Sequence, residues 1–182
     1  TPRDSIRRQR QMCIRDREMA LAYPEKVNGL ILVATDCGIS LRIKAKPEFS
    51  GLFSEMIRLG TNEAKQAAAG CLFAKQTFET SPDIIQRYTE VSSRFPASQK
   101  TLGRQWSAIT QHDACERLAK ISSPTLVITG SEDELIPPEN AKVLAQRIPV
   151  AQIIFIDGGG HQFLIEQPEA FNEAVIGFLD DL

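Results

Sequence analysis

The sequence has 182 residues, 42% of them hydrophobic and 24% charged, with a net charge of −2 at pH 7. That length suits one domain with a real core and is short for two. The near-balanced charge gives no bulk attraction for nucleic acid or an anionic membrane surface, and no apolar run approaches the roughly 20 residues of a membrane span.

Residues 1–17, TPRDSIRRQRQMCIRDR, hold six Arg against two Asp and few apolar residues. Such a segment lacks a face to bury, and it lacks the apolar stretch of a secretory signal. QMCIRDR also resembles translated sequencing-adapter read-through. Residues 1–17 are therefore expected to be a disordered or foreign tail. From Glu18 the character changes. EMALAYPEKV reads as a helix end stopped by Pro24, and VNGLILVAT as a buried strand ending at Asp36 and Cys37.

The interval 38–122 is too long for a loop and must carry structure of its own. Its apolar spacing predicts helices over 47–60, 61–76, 81–95 and 98–111, with helix starts at Thr61 and at Ser81-Pro82-Asp83. Leu52, Met56 and Leu59, and Ile85, Tyr88 and Val91, fall at helical spacing and are expected to face the core. Trp106 is expected to pack this insertion onto the body, and His112 to sit at its hinge. Asp113 stands three residues before Glu116, the spacing of a capping box, and is expected to cap a helix.

TLVIT runs into GSED, and IIFI runs into DGGGH. Apolar runs of this kind, with no alternation, suit strands of a parallel sheet covered on both faces. Between them the pair Pro137-Pro138 opens a helix on which Val143, Leu144 and Ile148 share a side. PEAFNEAVIGFLDDL closes the chain as a helix with Phe171, Val175, Phe178 and Leu182 in one stripe. In such a sheet the loops leaving the carboxyl ends of the strands carry the chemistry. One loop offers Asp133 and the other His161. Either alone reads as a turn or strand-end residue; together they are the acid and base of a charge relay.

The four cysteines, Cys13, Cys37, Cys71 and Cys115, are scattered without a C-x-x-C pair. They read as buried thiols in a reducing, cytoplasmic setting, and neither they nor the two histidines suggest a metal site.

From about Glu18 onward these residues resemble the C-terminal part of an α/β-hydrolase. The likeness is strongest in EMALAYPEKVNGLILVAT, DACERLAKISSPTLVITGSEDELIPPEN and AQIIFIDGGGHQFLIEQPEAFNEAVIGFL, and weak between them. The family's G-x-x-D-x-x-x-P is met by Gly130, Asp133 and Pro137, and its G-x-G-H by Gly158, Gly160 and His161. The resemblance implies an α/β fold of about three parallel strands flanked by helices. It places a partial core at 18–37 and 113–182, with a helical cap, or lid, inserted at 38–112.

It also implies cofactor-free hydrolysis of an ester, lactone or related acyl bond in a small-molecule substrate, with Asp133 as triad acid and His161 as base. No metal, nucleic acid or membrane partner follows from it, and the oligomeric state stays open. The third member of such a triad sits in G-x-S-x-G on a sharp strand-to-helix turn. The sequence has no such motif; counting back from Glu18 lands near Arg10, and Ser5 lacks flanking glycines. The chain is thus expected to be an inactive fragment of a Ser-His-Asp hydrolase. The alternatives are an Asp-nucleophile dehalogenase or epoxide hydrolase, and a non-catalytic binding member of the fold.

Overall fold

The computed structural model describes residues 5–59, 61, 67, 70–94 and 98–182. Three parallel strands, β1 (Leu30–Val33), β2 (Thr125–Gly130) and β3 (Ala151–Ile156), pair in that order, with Leu30 opposite Thr125 and Thr125 opposite Ala151. Helix α1 (Ser5–Ala22) precedes β1, and the link between β1 and β2 carries α2 (Pro47–Leu59), α3 (Lys75–Thr80), α4 (Pro82–Arg94) and α5 (Gln99–Gln111). Helix α6 (Glu139–Arg147) joins β2 to β3, and the short α7 (Phe163–Glu166) and α8 (Pro168–Asp180) end the chain.

Side-chain alternation along the strands divides the core into two layers. Leu30 and Leu32 of β1 and Val127 of β2 pack with Ala20 of α1 and with Ala141, Leu144 and Ile148 from the α6 segment. On the opposite face Ile31, Val33, Leu126, Ile128, Ile154 and Ile156 meet Phe163, Phe171, Val175 and Phe178. Each cluster removes several large side chains from water, worth about 1.5–3 kcal/mol apiece.

Several expectations need correction. Residues 5–17, expected to lie outside the fold, continue α1, with Cys13 and Arg17 buried. The sequence hid this face because one of its members, at the i, i+4, i+7 positions Cys13, Arg17 and Ala20, is an arginine whose aliphatic stem packs like an apolar side chain. Strand β2 is buried throughout, but β3 exposes Gln152 and Phe155, because it is an edge of the sheet rather than its centre. Leu59, Val91 and Leu182 are exposed despite their helical spacing. The helix start at Thr61 extends into residues outside the described set. No α-helix follows Asp113; the chain makes turns and a 3-10 segment, Leu118–Lys120.

The cysteines are the largest departure. Cys37 and Cys115 are joined in a disulfide, while Cys13 and Cys71 are buried outside it. The two bonded residues lie 78 apart in sequence, which no spacing rule could read as a pair. The strand end at Cys37 and the returning chain at Cys115 are brought together beside a bridge between Gly38 and Asp113. A bonded pair removes the cysteine argument for a reducing compartment. Among the described residues, no helix is long and apolar enough to cross a membrane.

Candidate active site

The loops that leave β2 and β3 meet at the carboxyl edge of the sheet. Ser131 N–H donates to Ile156 C=O and Glu132 N–H to Gly159 C=O, both at 2.9 Å, and Gly158 N–H donates to the Ser131 hydroxyl at 2.8 Å. The loops fit closely because Gly130 has no side chain: a Cβ there would stand 2.1 Å from the Gly159 oxygen. Gly158 turns the chain with φ +66°, a conformation glycine adopts without steric cost.

This junction holds Asp133 and His161 together. Asp133 Oδ2 lies 2.8 Å from His161 Nδ1, and both side chains are almost fully buried. Asp133 Oδ1 accepts the backbone N–H groups of Leu135 at 2.9 Å and Ile136 at 2.8 Å. An ionised carboxylate can only accept, so a proton sits on Nδ1, and in the neutral ring the lone pair is then at Nε2. The arrangement fixes one tautomer and can stabilise positive charge on the imidazole. It can thus take a proton at Nε2 and return it.

Residues of the long β1–β2 link, the insertion, pack against this junction. Gln162 N–H donates to Leu72 C=O at 2.8 Å, and Leu135 packs with Cys71, Leu72, Phe73, Ile84, Ile85 and Tyr88. A second polar cluster lies at the base of the insertion. Arg42 forms a two-pronged pair with Asp36, at 2.8 and 3.0 Å, and its guanidinium also donates to Ile109 C=O. Asn140 clasps the backbone of Ile43 through both side-chain atoms.

Asp113 receives Cys115 N–H and Ser40 N–H, so it ties the two ends of the insertion instead of capping a helix. His112 bonds Glu18 at 2.9 Å, beside the two-pronged Glu18–Arg117 pair. The Arg117 guanidinium, opposed in part by burial, holds the Glu18 carboxyl down at about 2. Arg17 bonds Thr35 through Nη1 and leaves Nε unpartnered; its burial lowers the guanidinium pKa.

Arg10, where the nucleophile position falls by counting, lies within α1. Sequence reasoning missed Arg42, Asn140 and Glu166. Asn140 meets Ile43 across 97 residues and Glu166 meets Ala74 across 92, whereas Arg42 pairs with Asp36 six residues away and Glu166 stands five residues after His161, so these two left a local signal. Among the described residues no group of three or more His, Cys, Asp or Glu is placed to hold a metal ion.

Parallel strands with helices on both faces, and an Asp–His pair on adjoining strand-end loops, define an α/β-hydrolase. Residues 17–168 match the family described as serine aminopeptidase, S33, and the chain belongs to it. It is 32% identical over 166 residues to a poly(3-hydroxyalkanoate) depolymerase of Ectopseudomonas oleovorans, covering 89% of this chain and 56% of that protein. The fold is similar to the crystal structure of the enol-lactonase of Burkholderia xenovorans LB400, with TM-score 0.78 and 22% identity over 94% of this chain and 63% of that one. A thermophilic esterase of Thermogutta terrifontis is similar too, with TM-score 0.69 and 25% identity, covering 89% of this chain and 60% of that one. The chain spans about six tenths of the length of the curated relatives it matches.

Proposed function

We propose that this chain is the acid-and-base part of a hydrolase that cleaves an ester, lactone or related acyl bond by a Ser-His-Asp mechanism. The observation that carries it is the buried 2.8 Å contact between Asp133 and His161. Asp133 holds the imidazole so that Nε2 faces its proton-transfer partner as a base. Nε2 takes the proton of a serine hydroxyl as its oxygen attacks the acyl carbon, and the imidazolium returns that proton to the leaving group. Asp133 stabilises the imidazolium without taking the proton itself.

The nucleophile and oxyanion donors belong to sequence outside these 182 residues, and the chain alone is inactive. The depolymerase and esterase among its relatives support an acyl bond as target. The reading is tested by expressing the gene with its sequence upstream of Glu18. A G-x-S-x-G segment whose helix leads into EMALAYPEKV is expected, with hydrolysis of short-chain p-nitrophenyl esters that His161→Ala lowers by on the order of a thousandfold or more. An Asp at the serine position would redirect the reading to dehalogenation or epoxide opening, and an inert residue there would end the catalytic one. Ester hydrolysis by the 182-residue chain itself, lost in His161→Ala, would refute its inactivity.

A further inference from the structure

Three hydrogen-bond donors converge on one carboxylate where the insertion meets the His161 loop. Glu166 Oε2 accepts the Gly160 N–H at 2.8 Å. Its Oε1 accepts the Ala74 N–H at 2.8 Å and the Thr77 hydroxyl at 2.5 Å. Ala74 is the residue from which α3 starts, and Gly160 directly precedes His161. On the other side of His161, Gln162 N–H donates to Leu72 C=O. Both neighbours of the histidine are therefore tied to the 72–77 turn, one directly and one through Glu166. The approach is tight: a Cβ on Gly160 would stand 2.4 Å from Ala74 N.

Glu166 ends the one-turn α7, and its contacts to Gly160, Ala74 and Thr77 hold the carboxylate in place. All three partners donate, so the group required has acceptors on both oxygens and no donor. A carboxylate meets that requirement; an amide of the same shape would turn its NH₂ toward a donor.

We infer that Glu166 is a positioning residue for His161: it locks the histidine loop to the α3 turn, so that the seating of the insertion sets the aim of the imidazole. This rests on the reading of His161 as the base, but the ring's placement is measurable without any reaction. The probe is the Nδ1–H proton of His161, hydrogen-bonded to Asp133, followed by ¹H–¹⁵N NMR in the 182-residue chain.

In Glu166→Gln the line is expected to move upfield and its exchange with solvent to rise about tenfold or more, as loss of a charge-assisted hydrogen bond lowers the free energy of local opening. Glu166→Asp keeps the charge with a shorter reach and is expected to restore part of the effect. Thr77→Val, which leaves the carboxylate in place, is expected to give a smaller change in the same direction, and it carries the test should Glu166→Gln fail to fold. A lowered Tm with an unchanged His161 line would reduce Glu166 to a structural tie and overturn the inference; so would an unchanged line in Thr77→Val. A responding line combined with an upstream-extended protein indifferent to His161→Ala would leave the positioning intact and refute the catalytic reading instead.

Discussion

Asp133 grips His161 with one carboxylate oxygen and is gripped through the other: Oδ2 accepts from His161 Nδ1 while Oδ1 accepts from the backbone N–H groups of Leu135 and Ile136. All three partners are donors, so the site is built for a charge that only accepts. Asp133→Asn offers one acceptor oxygen in place of two. The amide either abandons the two backbone donors or turns its NH₂ to His161, which must then present a lone pair at Nδ1. The expected outcome is a switch of the His161 tautomer, read from the ring ¹⁵N shifts. Asp133→Ala, which leaves the donors unpaired in the interior, is expected to cost about 1–3 kcal/mol or more in urea unfolding.

The glycines give a paired test of packing. A Cβ on Gly130 would meet the Gly159 oxygen at 2.1 Å and the Gly160 oxygen at 2.4 Å, both backbone atoms that cannot rotate aside. Gly130→Ala is expected to destabilise by about 3 kcal/mol or more and to push the histidine loop outward. Gly177 lies inside α8 with nothing within 4 Å of a Cβ position. Gly177→Ala is expected to stabilise by about 0.5–1 kcal/mol. Thermal unfolding of the two variants should therefore move in opposite directions.

What could be read in advance was local. The β2 and β3 runs, the helices at 47–59, 82–94 and 99–111, and the motifs around Asp133 and His161 depend on neighbours a few residues away. What escaped was long-range. Glu166 meets Ala74 at a separation of 92 residues, Arg117 meets Glu18 at 99, and Cys37 meets Cys115 at 78. Asp113 has a capping residue's chemistry but uses it across the hinge, on Ser40. Periodicity reports which face of an element is apolar. It does not report which other element that face, or a polar side chain beside it, will meet.

The buried Arg17 offers a stabilising change. Its side chain is fully enclosed, Nε has no partner among the described residues, and Nη1 donates to the neutral hydroxyl of Thr35. A charge held this way carries a desolvation penalty that its contacts do not offset. Arg17→Met keeps the stem and removes the charge. The urea midpoint is expected to rise, corresponding to about 1–3 kcal/mol. A fall would mean that attraction to Asp36 outweighs the burial.

The disulfide between Cys37 and Cys115 closes a loop holding the whole insertion, 78 residues from end to end. Cross-linking so long a loop restricts the unfolded chain by about 4–5 kcal/mol in the chain-entropy estimate. The hinge also has the Asp36–Arg42 pair and the Asp113 ties, none of which involves the sulfur atoms. Reduction, or Cys37→Ser with Cys115→Ser, is therefore expected to lower the unfolding free energy by several kcal/mol while leaving the far-ultraviolet circular dichroism of the folded chain unchanged. Loss of helical signal on reduction at low temperature would show that the bond, and not the polar ties, holds the hinge.

Glu18 sets a pH dependence with a definite sign. Hydrogen bonds from the Arg117 guanidinium, with a further one from His112, hold its carboxyl at about 2, against the usual 4.5. A carboxyl lowered in the folded state binds its proton more readily when unfolded, so stability is fully present above about 4.5 and is lost as pH falls toward about 2. The side chain is 39% exposed, so solvent screens the pair and the effect is modest. Urea midpoints taken from pH 5 down to pH 2 should fall more steeply for the parent chain than for Glu18→Gln, which has no proton to bind at that position. Parallel curves across that window would mean that the tie between α1 and the Arg117 turn contributes nothing to stability.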